Sequence, residues 1–114
     1  MENLLFESIR NILTAEEVQW EEKKMMGGIT FMVDDKMCFG TYKGGLLCRI
    51  DPKDKEDLLK NEYASSVYQA GREMKGYVFL ESPAYESRQG LEFWIKKCLV
   101  FNPKARGSKR KKLE

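Results

Sequence analysis

The chain contains no histidine. That removes the one side chain whose ordinary pKa lies near neutrality. With it go the Ser-His-Asp and Cys-His pairings of nucleophilic catalysis. Cysteine is scarce and odd in number: Cys38, Cys48 and Cys98, with no CxxC spacing. Three scattered thiolates and no imidazole do not make a four-ligand zinc site, so neither metal nor cofactor is expected. The three thiols read instead as reduced, mostly buried small hydrophobes. No apolar run approaches the ~20 residues that a membrane span needs. The opening Met1-Glu2-Asn3-Leu4-Leu5 has no basic region ahead of its apolar residues and no cleavage pattern. A cytoplasmic protein without membrane association is expected.

What is present describes an ordinary globular chain of 114 residues, 42% hydrophobic and 33% charged. That length makes one domain with a core of its own. Charge is unevenly placed. Residues 104–114 hold Lys104, Arg106, Lys109, Arg110, Lys111 and Lys112 against Glu114, a net of +5, which leaves −3 for the rest of a chain whose total is +2. We therefore expect a domain over residues 1–103 and a disordered basic tail over 104–114. The closing Leu113-Glu114 reads as a cloning remnant and is excluded from fold reasoning.

Hydrophobic periodicity and turn chemistry give the elements. Leu5, Ile9, Ile12 and Leu13 recur at helical spacing, which predicts a helix over 2–13. Residues 18–24 alternate as a strand, Gly27-Gly28 bends the chain, and 28–33 continue extended with Ile29, Phe31 and Val33 on one face. Asp34-Asp35 turns the chain into a strand over 36–41, and Lys43-Gly44-Gly45 into another over 46–50. Asp51-Pro52 starts a helix running to about Lys60. Two more strands are expected, over 64–70 and 77–80. A last helix from Ser87 aligns Leu91, Trp94, Ile95, Cys98 and Phe101, with Glu92 and Lys96 paired outside, and Asn102-Pro103 stops it. The predicted fold class is α+β: a two-layer antiparallel sheet packed by helices, in the order α-β-β-β-α-β-β-α.

Few residues invite chemistry. Arg49 stands mid-strand between Cys48 and Ile50, where a guanidinium must be paired or face water. A cross-strand ion pair with Glu22 or another strand carboxylate is the plainer reading, and an anion clamp with Lys24, Arg72 and Lys75 the functional one. Gly71-Arg72-Glu73-Met74-Lys75-Gly76 lacks the strand–loop–helix setting of a phosphate loop, because a strand comes after it. The paired carboxylates each lie at a turn, a helix start or a solvated strand face. The strand aromatics Trp20, Phe31, Phe39, Tyr42, Tyr77 and Phe79 read mainly as core. The tail cations Lys104–Lys112 could hold phosphate backbones weakly and without sequence preference.

Two stretches carry a likeness. Met25-Met26-Gly27-Gly28 with Phe31, and Gly71-Arg72-Met74-Lys75-Gly76, together with Lys36-Met37, Leu47, Arg49 and the Leu91–Trp94–Leu99 helix, resemble the N-terminal domain of the TfoX/Sxy family. These are bacterial proteins named for their role in regulating DNA-uptake competence. The likeness covers residues 5–101. Met26, Glu73 and Tyr77 stand where phenylalanine, proline and tryptophan are common. In this light Gly27, Gly28, Gly71 and Gly76 are structural motif positions, and no catalytic residue is implied. Full-length members carry a second, helical C-terminal domain and act alongside the cyclic-AMP receptor protein; this chain has the basic tail instead. The resemblance implies a non-enzymatic regulatory module. We expect it to be a protein-binding adaptor in transcriptional control, its partner the transcription machinery or a regulator. The alternatives are a small nucleic-acid-binding protein using tail and sheet, and an anion- or small-ligand-binding domain around Arg49.

Overall fold

A computed structural model describes residues 2–25 and 27–105. Helix α1 (Glu2–Ala15) leads into four strands, β1 (Trp20–Met25), β2 (Gly28–Val33), β3 (Lys36–Tyr42) and β4 (Gly45–Arg49). A 3-10 turn, Pro52–Asp54, and the short helix α2 (Lys55–Leu58) precede the hairpin of β5 (Ala64–Gln69) and β6 (Arg72–Leu80). A second 3-10 turn, Ser82–Tyr85, then opens α3 (Arg88–Phe101). The strands form one antiparallel sheet in the order β1-β2-β3-β4-β6-β5. The α+β class holds as read from the sequence, and no helix among the described residues is long and apolar enough to cross a membrane.

The element order departs from expectation in one place: four strands, not three, precede α2. Residues 18–33 are not one bent strand. Met25 pairs with Gly28 across a tight turn, so β1 and β2 are antiparallel partners. Gly27 makes this turn at φ +77°, a backbone that a Cβ would strain. Gly28 is needed for a different reason, since a Cβ there would run into the Thr41 carbonyl and hydroxyl. That hydroxyl accepts the Ile29 N–H at 2.9 Å. The second hairpin is also longer than predicted. β6 begins at Arg72, just after Ala70 (φ +53°) and Gly71 (φ +79°), so most of the glycine-flanked stretch is strand.

Caps formed where polar side chains precede helices. Asp51 accepts the Lys53 N–H at 3.0 Å ahead of Pro52, and Ser87 accepts the Gly90 N–H at 2.9 Å. Outside α3, Glu92 pairs back to Arg88 (3.1 Å), while Lys96 reaches Glu16 (3.6 Å) rather than Glu92.

One face of the sheet meets the helices. Ile9, Ile12 and Leu13 from α1 and Leu91, Trp94, Ile95 and Cys98 from α3 close over Phe31, Val33, Phe39, Leu46, Cys48, Val78 and Leu80. Phe31 and Phe39 stack with centroids 5.1 Å apart, flanked by Phe6 and Trp20. Cys38 is the extra residue of a bulge, because Phe31 faces Phe39 and Met32 already faces Met37. All three cysteines are free and buried, as expected. The packed body runs on through a 3-10 turn, Asn102–Lys104, to the buried Ala105. Asn102 ties this end down by donating from Nδ2 to the Val33 carbonyl at 3.0 Å.

Candidate functional site

Arg49 is the side chain the sequence singled out, and its surroundings define the best candidate surface. Strand side chains alternate between faces. Cys48 points into the helix-covered core, so Arg49 projects from the opposite side. There it lies half-buried, with its guanidinium 5.8 Å from the centroid of the Tyr77 ring, its register partner on β6. Its Nη1 donates a long 3.5 Å hydrogen bond to the Met37 carbonyl. Along the same face Leu47 sits between Gly40 and Phe79, and Phe79 meets Tyr42 edge-on at 6.2 Å. Lys43 Nζ stands 5.3 Å from the Tyr42 ring. Two aromatic groups, each carrying a cation, thus share one face.

The expected partner of Arg49 is elsewhere. Glu22 faces the helix side on β1, three strands from β4. It is gripped there by Arg10 of α1, Nε at 2.6 Å and Nη2 at 3.0 Å, one donor to each carboxylate oxygen. The Arg10 hydrogen bond holds the Glu22 carboxyl below the usual carboxylate range. Among the described residues no carboxylate forms a salt bridge with Arg49. The core assignment of the aromatics is also corrected in part. Phe31 and Phe39 are fully buried and Trp20 packs half-buried against that core, but Tyr42, Tyr77 and Phe79 lie half-buried outside it.

The other cations of the imagined clamp are dispersed. Lys24 is on edge strand β1, about 14 Å from β4 at the ordinary strand spacing. It lines a separate hollow with Phe6, Met25, Gly27, Gly28, Ile29 and Thr41. Arg72 pairs with Gln69 at the tip of the β5–β6 hairpin. Lys75 lies two residues before Tyr77 on β6, and Gly76 gives its carbonyl to the Ile50 N–H at 2.8 Å. Of the four, Arg49 on β4 and Arg72 and Lys75 on β6 share neighbouring strands, with Arg72 at the far hairpin tip and Lys24 apart on β1. Lys104 lies 3.9 Å from Asp51. Arg106, Lys109, Arg110, Lys111 and Lys112, like Met26, lie outside the described residues.

Sequence reasoning missed Lys55. Its side chain is buried, with Nζ on Glu73 Oε2 at 2.8 Å and on the Met74 carbonyl at 3.1 Å. The Lys55 hydrogen bond lowers the Glu73 pKa. The pair fixes α2 against β6, a structural task. Nothing local in Asp54-Lys55-Glu56 announces it, since the partner lies eighteen residues on.

The cysteine cluster offers no nucleophile. Cys38 is pushed up by its contact with Cys98 and by burial, and burial also drives Cys98 well above the usual thiol range. A protonated buried thiol is unreactive. Among the described residues no three His, Cys, Asp or Glu side chains are grouped so as to hold a metal ion.

The arrangement is therefore that of a small sheet module with one face closed by helices and an arginine–aromatic surface on the other. The chain belongs to the TfoX N-terminal domain family, whose model matches residues 13–101. No curated protein and no solved structure matches it. At the family level it is a TfoX-like regulatory module, and the family is not a known enzyme family.

Proposed function

We propose that this protein is a cytoplasmic, non-enzymatic adaptor in transcriptional control that binds a protein partner through the Arg49–Tyr77 face. The observation that carries this reading is Arg49 itself: half-buried, stacked on an aromatic ring, and without a carboxylate partner among the described residues. Arginine and tyrosine are the side chains over-represented among residues that dominate binding energy. A carboxylate brought by the partner would complete Arg49 with two parallel hydrogen bonds, while Leu47, Phe79 and Tyr42 supply apolar contact. The test is affinity capture from bacterial lysate, with and without nuclease, using the wild type and Arg49→Glu. The expected result is a protein retained through nuclease treatment and lost from the charge-reversed variant. Capture that vanishes with nuclease overturns the reading.

A second reading rests on the pairing of cations with rings, Lys43 on Tyr42 and Arg49 on Tyr77. Base stacking on aromatic side chains with cations at the backbone is how sheet surfaces hold single strands. Titration with single-stranded DNA separates the two. Affinity that drops on Tyr77→Ala or Tyr42→Ala favours nucleic acid. Weak affinity that falls with salt and ignores both substitutions leaves only the basic tail as its source.

A further inference from the structure

The two edges of the sheet are unlike. β1 carries Glu21, Glu22, Lys23 and Lys24 in its middle, and charge of that kind opposes the addition of another strand. β5 reads Ala64-Ser65-Ser66-Val67-Tyr68-Gln69, with no charge and no proline. It pairs with β6 on one side, and among the described residues no strand lies beyond it. Tyr68 stands 64% exposed on this edge.

The free edge presents a defined set of hydrogen-bonding groups. In an antiparallel pair, alternate residues turn their N–H and C=O toward the neighbour and the others turn them away. The Glu81 N–H donates to the Tyr63 carbonyl at 2.9 Å, which turns Tyr63 and the residues in step with it, Ser65 and Val67, toward β6. The other end agrees. Gln69 and Arg72 flank the two-residue turn Ala70-Gly71, where both φ angles are positive, and residues flanking such a turn bond to each other. Ala64, Ser66 and Tyr68 therefore turn their backbone outward. The Ala64 N–H is already given to the Asn61 carbonyl at 3.0 Å. Among the described residues that leaves the Ala64 carbonyl and the groups of Ser66 and Tyr68 for another strand. The irregularity of this ladder lies on β6, where Met74–Tyr77 face Val67 alone, so β5 itself is uninterrupted.

We propose that a second copy of this chain adds to β5, antiparallel and centred on Ser66, so that two six-stranded sheets run together about a two-fold axis. A two-fold interface must be self-complementary, and this strand is. Ser66 and the partner's Ser66 exchange two N–H···O bonds, and the Tyr68 N–H donates to the partner's Ala64 carbonyl. The exposed Tyr68 ring then has the partner's Ala64 as its cross-strand neighbour. Charge agrees as well. Glu62 comes opposite the partner's Ala70, on the turn that leads into Arg72, with two strand spacings, about 10 Å, between the backbones of glutamate and arginine. Their side chains together close that distance. Neither Glu62 nor Arg72 forms a salt bridge among the described residues. A foreign strand would have to bring an acid and a base in the right order, whereas a second copy supplies both by symmetry.

Sedimentation of the full chain from micromolar to millimolar concentration tests this. The expected wild type is a monomer–dimer equilibrium. Tyr68→Lys places a charge on an exposed edge position, and Ser66→Pro removes a donor that β6 does not use. Each change counts twice across the two-fold axis, so each should weaken self-association about tenfold or more while circular dichroism stays that of the wild type. Glu62→Arg should weaken it too, and adding Arg72→Glu should restore it. In the wild type itself, the Ser66 and Tyr68 amides should exchange with solvent more slowly as concentration rises. A chain that stays monomeric up to millimolar concentration overturns the proposal, as do Ser66 and Tyr68 amides whose exchange ignores concentration. So does a dimer that survives both Tyr68→Lys and Ser66→Pro, which would place the contact on another surface.

Discussion

Two rows of residues cross the same six strands one position apart. Glu22, Phe31, Phe39, Cys48, Val78 and Ser66 are register partners in turn, and so are Lys23, Thr30, Gly40, Leu47, Phe79 and Ser65. In the first row Phe31, Phe39, Cys48 and Val78 are all at most 1% exposed and join α1 and α3 in one cluster. In the second, Thr30 and Leu47 are buried as well, yet neither belongs to that cluster, and Phe79 stays half-exposed. The first face gains its burial from helices. The second gains it from short side chains lying low and from larger neighbours (Phe79, Tyr42, Arg49 and Tyr77) leaning over them. Stability should concentrate on the first face and binding on the second.

The strongest test of this contrast is Trp94→Ala. Trp94 is 2% exposed and roofs the helix-covered face, so its loss should cost about 3–5 kcal/mol in chemical denaturation. Tyr77→Ala on the other face removes a half-buried ring. It should cost clearly less stability while weakening partner capture by about 2 kcal/mol or more, the hot-spot range. If the two substitutions destabilise equally, the division of labour between the faces is wrong.

Next in size is the β1–β2 turn, which sets the register of both rows from their edge. Gly27→Ala places a Cβ at φ +77° and should cost about 1–2 kcal/mol, although open space surrounds the position. An unchanged melting temperature would show that the turn relaxes without disturbing the register.

Legibility in the sequence tracked the range of the forces involved. β2 and β3 are short apolar runs bounded by turn residues, and α3 shows its stripe beside a serine cap, so local pattern located them. The separation of β1 from β2 was hidden because a Gly-Gly step fits a bend as well as a hairpin. β6 was read short because Arg72, Glu73 and Lys75 are exposed and charged, and nothing in that composition announces a strand. Arg49 was visible as a charge amid apolar residues. Its true neighbours were not, since Glu22 and Arg49 lie on opposite faces and the Tyr77 contact depends on the β4–β6 register. Asp34-Asp35 reads only as turn chemistry, because the Asn102 contact to the Val33 carbonyl beside it spans nearly seventy residues of chain.

The smallest effect expected is on acid stability, and it sharpens the comparison at the edge of the first row. Glu22 ends that row on β1 and is held by Arg10, whose hydrogen bond lowers its carboxyl pKa in the folded state. A lowered folded pKa means that the unfolded chain binds the proton more readily. The contribution is therefore fully present above the ordinary carboxylate value of about 4.3 and is lost as pH falls through the lower folded value. Glu73, lowered by Lys55, acts in the same direction from the other end of the sheet. Arg10→Ala should flatten the loss of stability across the acid range while barely changing the slope above neutrality. The Arg10–Glu22 pair is partly exposed, so the total should stay small and shrink with added salt. Denaturant midpoints of wild type and variant, measured from neutral pH down into the acid range, would check it. Curves that stay parallel throughout would mean that this pair orders the edge of the helix-covered face without stabilising it.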